Sequence, residues 1–237
     1  MVALNIETPL PTHQRYLHKP FIGSSHSWAL GCIKQLPTAA RVLDIGCGSG
    51  GMGSALLEMG FSNLEAVEPD PAARSNASAI YSRVVPSLDT LHGETYNLIL
   101  LLDVLEHTTN PEEFLAQIVA HLAPGGSVLI SVPNIAHWST RLSLLFGRFQ
   151  YTSRGILDRT HYSHFDRARF KTMLGSQKGL ELVDLAASIP PAELALPRWL
   201  WDNTIFRRCS ELRLLSTRFI PGWSGYQHLG WLRRVDA

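Results

Sequence analysis

Cysteine is scarce in this 237-residue chain, with Cys32, Cys47 and Cys209 the whole complement. Three residues at those spacings build neither a disulfide framework nor a zinc knuckle; they fit reduced thiols and an expected cytoplasmic setting. Charge of one sign is equally lacking, since Lys+Arg number 21 against Asp+Glu 20 for a net +1. That balance offers no broad field for a polyanion, so nucleic acid is not an expected partner. Long apolar runs are missing too. No stretch is long enough to cross a bilayer, and Met1 to Pro20, with three prolines and charged residues, lacks the apolar centre of a secretory signal. There is no internal repeat and no low-complexity tract.

What is present is an alternation of short apolar runs with longer amphipathic stretches, the pattern of a parallel sheet covered by helices on both faces. Arg41–Ile45, Leu64–Glu68, Tyr96–Leu101 and Gly126–Val132 read as strands, with Arg83–Val85 a weaker fifth. Between them Met52–Glu58, Pro71–Tyr81 and Pro111–Leu122 carry helical spacing, and Pro124-Gly125-Gly126 is expected to stop the third helix. Thr12 to Leu36 reads as one or two helices, Arg167–Leu174 as a helix, and Leu180–Ala187 and Tyr226–Leu232 as strands.

The first strand runs into Asp44-Ile45-Gly46-Cys47-Gly48-Ser49-Gly50. Glycines there let the backbone turn sharply into a helix and let a ligand approach without a Cβ in the way. The turn reads G-x-G-x-G rather than the dinucleotide G-x-G-x-x-G. A carboxylate at Asp44 suits a cationic moiety and would repel a pyrophosphate. The next strand ends in Glu68, where a doubly wound nucleotide site places the carboxylate that accepts ribose hydroxyls.

Val42 to Gly50, Val67-Glu68-Pro69-Asp70, Asp103-Val104-Leu105-Glu106-His107 and Leu122-Ala123-Pro124-Gly125-Gly126 resemble, in order and spacing, the successive motifs of class I S-adenosylmethionine (SAM)-dependent methyltransferases. The resemblance spans residues 38–187. It implies an α/β, Rossmann-like, doubly wound sheet of seven strands, mostly parallel with an antiparallel last strand. On this basis residues 1–237 form one domain: a helical cap (1–37), a cofactor-binding core (38–187), and a C-terminal helix or lid with the closing strand (188–237). The resemblance also implies roles. Asp44, Gly46, Cys47, Gly48 and Gly50 lie near the methionyl end of SAM, Glu68 and Pro69 at the ribose, Ser87 and Leu88 at adenine, and Leu102 and Asp103 beside the methyl group. Two departures stand out: Ser87 where many relatives have an acidic residue, and Tyr96-Asn97 where they have Phe-Asp.

An acceptor that arrives protonated needs a base, most often histidine. His107, His137, His161 and His164 all follow strands that should end at the ligand-binding edge. The long polar and aromatic loop from Pro133 to His164 is expected to shape the acceptor site. It resembles the same region of a bacterial subfamily that includes methionine-biosynthesis W-type proteins and polysaccharide-cluster methyltransferases. His161, His137, Asp158 and His107 are the catalytic candidates, and a small metabolite, sugar or lipid-linked molecule is the expected acceptor, through oxygen or nitrogen.

Asp103, Glu106 and His107 at i, i+3 and i+4 converge on one side of a helical turn. They resemble the acidic-x-x-Glu-His motif of metal-dependent small-RNA terminal 2′-O-methyltransferases and of some ubiquinone-pathway enzymes. No metal is assigned, because the sequence does not place the further ligand that coordination needs. Leu196 to Phe219 brings Trp199, Trp201 and Phe206 near Arg207 and Arg208. It reads as a helix packed on the sheet, a peripheral membrane contact, a lid or a homodimer surface. A regulatory, non-catalytic protein on the same fold is the competing class.

Overall fold

A computed structural model describes residues 19, 21–194 and 196–235 of the chain. The expected N-terminal helices lie partly outside these residues. Within them, α1 (Ser25–Ile33) starts at Ser24, whose hydroxyl accepts the Ser27 N–H at 3.0 Å. There follow β1 (Val42–Ile45), α2 (Gly51–Glu58), β2 (Leu64–Val67), α3 (Pro71–Ala77), β3 (Arg83–Val85) and β4 (Tyr96–Leu102). Then come α4 (Pro111–Val119), β5 (Leu122–Pro133), α5 (Trp138–Leu145), α6 (Arg167–Gly175) and β6 (Leu180–Ala187). The chain closes with α7 (Arg198–Trp201), α8 (Thr204–Phe219), α9 (Pro221–Ser224) and β7 (Gln227–Arg234).

The seven strands lie in the order β3-β2-β1-β4-β5-β7-β6. β1 to β5 run parallel, and β7 inserts antiparallel between β5 and β6. This is the expected α/β sheet with its reversed last strand. Because a strand's side chains alternate between faces, the central strands are buried on both. Leu43, Ile99, Leu101, Val128 and Ile130 pack with Leu115 and Ile118 of α4 and Phe170 of α6. Val42, Leu98, Leu100 and Leu129 pack with Ala29 and Ile33 of α1 and Leu56 of α2 on the opposite side.

Two helices end earlier than their periodicity suggests. α3 stops at Ala77 because Tyr81 turns inward, where its phenol, 4% exposed, reaches Asp44. α4 stops at Val119, and Pro124-Gly125-Gly126 lies inside β5 rather than before it. Leu122 already pairs with Tyr96, and the Pro-Gly-Gly segment is taken up by a register shift between Tyr96 and Leu98. Leu196 to Phe219 is two helices, α7 and α8, rather than one.

The strand order reverses between β1 and β4. In a doubly wound sheet that is where loops diverge and leave a crevice at the carboxyl ends of the strands. The glycine turn after β1 and the Asp103 to His107 turn after β4 flank it on either side.

Candidate active site

Asp44 is the last residue but one of β1, on the buried side of the glycine turn, and Gly46, Gly48 and Gly50 take φ of 71°, 54° and 90°. All three lie in the left-handed region that L side chains rarely enter, so the turn depends on glycine. Glu68 closes the turn from the neighbouring strand: its Oε2 accepts the Gly48 N–H at 2.8 Å and its Oε1 the Asp70 N–H at 2.9 Å. Two carboxylates, Asp44 and Glu68, are thus buried beside one loop, a donor set suited to a ligand with cationic and hydroxyl groups.

Burial pushes the Asp44 carboxyl up to about 7; the Tyr81 O–H, donated at 2.5 Å, eases it down and Glu68 pushes it further up. Tyr81 escaped the sequence reading, as did the reason for Gly53, where an added Cβ would stand 2.7 Å from the Tyr81 oxygen. Gly53→Ala is expected to lower stability by about 1–3 kcal/mol through this overpacking and to displace Tyr81 from Asp44. Thermal melts, with and without S-adenosylhomocysteine (SAH), check it.

The other predicted cofactor residues line the same edge. Cys47 is buried and its thiol is pushed up by burial, which keeps it protonated. Pro69 is exposed, and its carbonyl accepts from Arg74 at 3.0 Å. Ser87 caps the short turn Leu88–Thr90 after β3, and Leu88 packs against the core beside it. Leu102 is the last residue of β4.

Asp103 follows with φ 60°, a strained conformation for a non-glycine residue and one that recurs at ligand sites. Its carboxylate receives the Ser131 hydroxyl at 2.7 Å, the Gln227 amide and the Lys19 ammonium at 3.1 Å. Burial works to raise this carboxyl, but Lys19 and Ser131 hold it below its ordinary value. None of these three partners was legible in sequence. They come from β5, from β7 and from the segment before α1. Lys19→Met is expected to cost about 2 kcal/mol, less than a fully buried pair because the lysine is 21% exposed. Denaturant unfolding checks this.

The acceptor loop is sewn to the turn after β4. Tyr162 and Ser163 donate their N–H groups to the Glu106 carbonyl at 2.8 and 3.0 Å, and the Ser163 hydroxyl donates to Thr108. These bonds set His161 beside His107, with ring centroids 4.9 Å apart. The ligating atoms of Glu106, His107 and His161 all lie within 4.8 Å of one another. Each imidazole is oriented through Nδ1 by a backbone carbonyl, Thr160 at 3.1 Å for His107 and Ile156 at 3.2 Å for His161. With Nδ1 protonated to make those bonds, Nε2 carries the lone pair. Burial, with His107 adjacent, keeps the His161 ring neutral to lower pH than usual. The Glu106 side chain is 1% exposed with neither oxygen hydrogen-bonded; burial and Asp103 push its carboxyl well up.

Asp158 supports the cluster from behind. Its Oδ1 accepts the Thr160 N–H and hydroxyl at 2.8 and 2.7 Å, and Thr160 touches His107. His137 lies outside the cluster: it caps α5 by accepting the Ser139 N–H, is 2% exposed, and burial lowers it to about 4. His164 is also outside it.

With this geometry in view, the methyltransferase-domain family matches residues 26–185. The chain belongs to that family. It is a methyltransferase enzyme, and with the glycine turn and Glu68 in place its cofactor is SAM. Among curated proteins it is similar to the ubiquinone biosynthesis O-methyltransferase of Rickettsia prowazekii, 27% identical over 193 residues, covering 74% of this chain and 73% of the relative. The protein of the same name from Rhizobium etli is 30% identical over 102 residues, 40% of this chain and 41% of the relative. In fold it is similar to the plantazolicin methyltransferase BpumL solved with SAH (TM-score 0.56, 18% identity, 90% of this chain, 83% of that one). It is similar likewise to the N-methyltransferase NodS from Bradyrhizobium japonicum (TM-score 0.55, 16% identity, 89% and 86%).

Proposed function

We propose that this enzyme methylates a hydroxyl oxygen of a small-molecule or lipid-linked acceptor, with His161 as the general base. The observation that carries it is the cluster of Glu106, His107 and His161 on the Asp103 side of the strand-order switch. When bound, SAM supplies a methyl group made electrophilic by its sulfonium. Asp44, the glycine turn and Glu68 hold it, with Ser87 and Leu88 beside the adenine. Asp103, fixed by Lys19, Ser131 and Gln227, fills the floor between cofactor and acceptor.

The acceptor oxygen attacks the methyl carbon, the carbon–sulfur bond breaks with its electrons going to sulfur, and the hydroxyl proton passes to Nε2 of His161. Glu106, whose carboxyl burial and Asp103 hold well above the ordinary value, lies within 4.8 Å of His161 and ionises more readily as the imidazolium forms beside it. His107 and Asp158 position the pair. Transfer to oxygen is further supported by the relatives named for ubiquinone biosynthesis, which are O-methyltransferases. The resemblance to W-type and polysaccharide-cluster enzymes extends the acceptor class to sugars.

A second reading is favoured by the Glu106 carboxyl, buried with neither oxygen hydrogen-bonded. A buried, unpaired acid beside two imidazoles whose Nδ1 atoms are tied to carbonyls is the arrangement of a divalent-cation site. There Glu106, His107 and His161 would bind the ion, and the ion would orient the acceptor hydroxyl. Isothermal titration with SAH tests the shared premise, and the absence of binding overturns both readings. Turnover of hydroxylated acceptors in the presence of a chelator separates them: activity that survives belongs to the base, activity restored only by Mg²⁺ or Mn²⁺ to the ion. A protein that binds SAH but methylates no acceptor would instead be a regulatory one.

A further inference from the structure

α8 packs in an unusual sense, with small polar residues inward and large apolar ones outward. Ser210 and Thr217 are buried, whereas Ile205, Leu212 and Phe219 are 77%, 67% and 79% exposed. Their spacing of seven puts them in one stripe along the helix. Phe219 and Ile220 lead directly into α9, where the Trp223 ring lies 5.4 Å under the Arg141 guanidinium of α5. α5 in turn exposes Leu145 and Phe146 at its end. A monomer rarely leaves so much contiguous apolar surface in water without a use for it.

The charge around this face is as uneven as the whole chain is balanced. Residues 138–162 and 196–223 hold nine arginines, no lysine and three carboxylates, in a chain whose net charge is +1. One of the three, Asp158, is buried. We propose that the α5, α8 and α9 face docks on an anionic phospholipid surface, the apolar stripe entering the headgroup boundary and the arginines pairing with phosphates. Guanidinium groups match phosphate bidentately, and an apolar stripe flanked by cations is the composition of a helix lying in a membrane interface. A second copy of the chain is the poorer occupant, because two such faces would bring like charges together.

The face adjoins the acceptor loop. The His137 ring at the start of α5 lies 5.7 Å from the Tyr226 ring, and Gly155 of the loop abuts the Tyr226 hydroxyl. A lipid-linked acceptor would therefore reach His161 from the membrane side. The docking itself does not depend on that chemistry, so failure of the methyl-transfer reading leaves it standing.

Flotation with vesicles of phosphatidylcholine, alone or mixed with phosphatidylglycerol, tests it. The full chain is expected to float with the anionic vesicles and to be released by salt. Leu212→Ser with Phe219→Ser, and separately Arg207→Gln with Arg208→Gln, should each reduce binding about ten-fold or more. All four positions are exposed, so SAH affinity should not change. Equal flotation of the variants, or no preference for anionic vesicles, overturns the proposal. So does a dimer in analytical ultracentrifugation that the Leu212→Ser, Phe219→Ser pair abolishes.

Discussion

Replacement of His161 by alanine is expected to lower kcat/KM for acceptor methylation by about 10²- to 10⁴-fold, the usual contribution of a positioned base. SAH affinity should stay within a factor of about two, because His161 lies on the acceptor loop, away from the glycine turn. Glu106→Gln keeps the volume but removes the group able to ionise beside the imidazolium, and should lower kcat/KM in the same direction. The double variant should be little worse than either single one, since residues that act as a unit are not additive. The pH profile adds a check with a definite sign. A base works in its neutral form, and burial lowers the His161 pKa. The acid limb of kcat/KM should thus fall below the ordinary histidine value of about 6.5. Full activity of His161→Ala at neutral pH, with or without added Mg²⁺, would remove this residue from both versions of the mechanism.

The half of the candidate site proposed to hold the cofactor is legible in sequence because it is local. Asp44 and the three glycines lie within seven residues, and Glu68 directly follows the very next strand. Each follows from a strand, a turn and a helix in succession. The other half is assembled across the fold. His161 meets Glu106 and His107 only because backbone bonds tie Tyr162 and Ser163 to the turn after β4, and hydrogen bonds between distant loops leave no periodic mark. Lys19, Ser131 and Gln227 converge on Asp103 from three elements for the same reason. His137, read from its position after β5 as a candidate base, proved to be a helix cap, which a histidine can serve as readily as a serine. The outward apolar stripe of α8 was hidden because periodicity reports that a helix has two faces without saying which one the sheet receives.

If Asp44 faces the cofactor as proposed, cofactor binding is expected to depend on pH in a definite direction. Its carboxyl is fully enclosed, and burial, offset in part by Tyr81 and reinforced by Glu68, places it at about 7 in the folded protein. The ordinary aspartate value is about 3.9. The folded state therefore holds its proton more tightly than the unfolded one. That contribution to stability is full below the unfolded pKa and is lost as pH rises through about 7. SAM, which brings an ammonium and a sulfonium, favours the ionised form. Its dissociation constant should hold steady above pH 7 and weaken as pH falls, approaching about ten-fold per unit once Asp44 is mostly protonated. Asp44→Asn should bind SAM about 10- to 100-fold more weakly at pH 8, the loss of roughly one charge-assisted contact, and should show no such dependence between pH 6 and 8. Without cofactor, the same variant should melt higher than the wild type at pH 8, with the gap narrowing as pH falls and closing only near pH 4. Titration calorimetry and melting curves across this range give both comparisons. A wild-type affinity that is flat from pH 6 to 8 would mean that Asp44 is ionised throughout and does not face the cation.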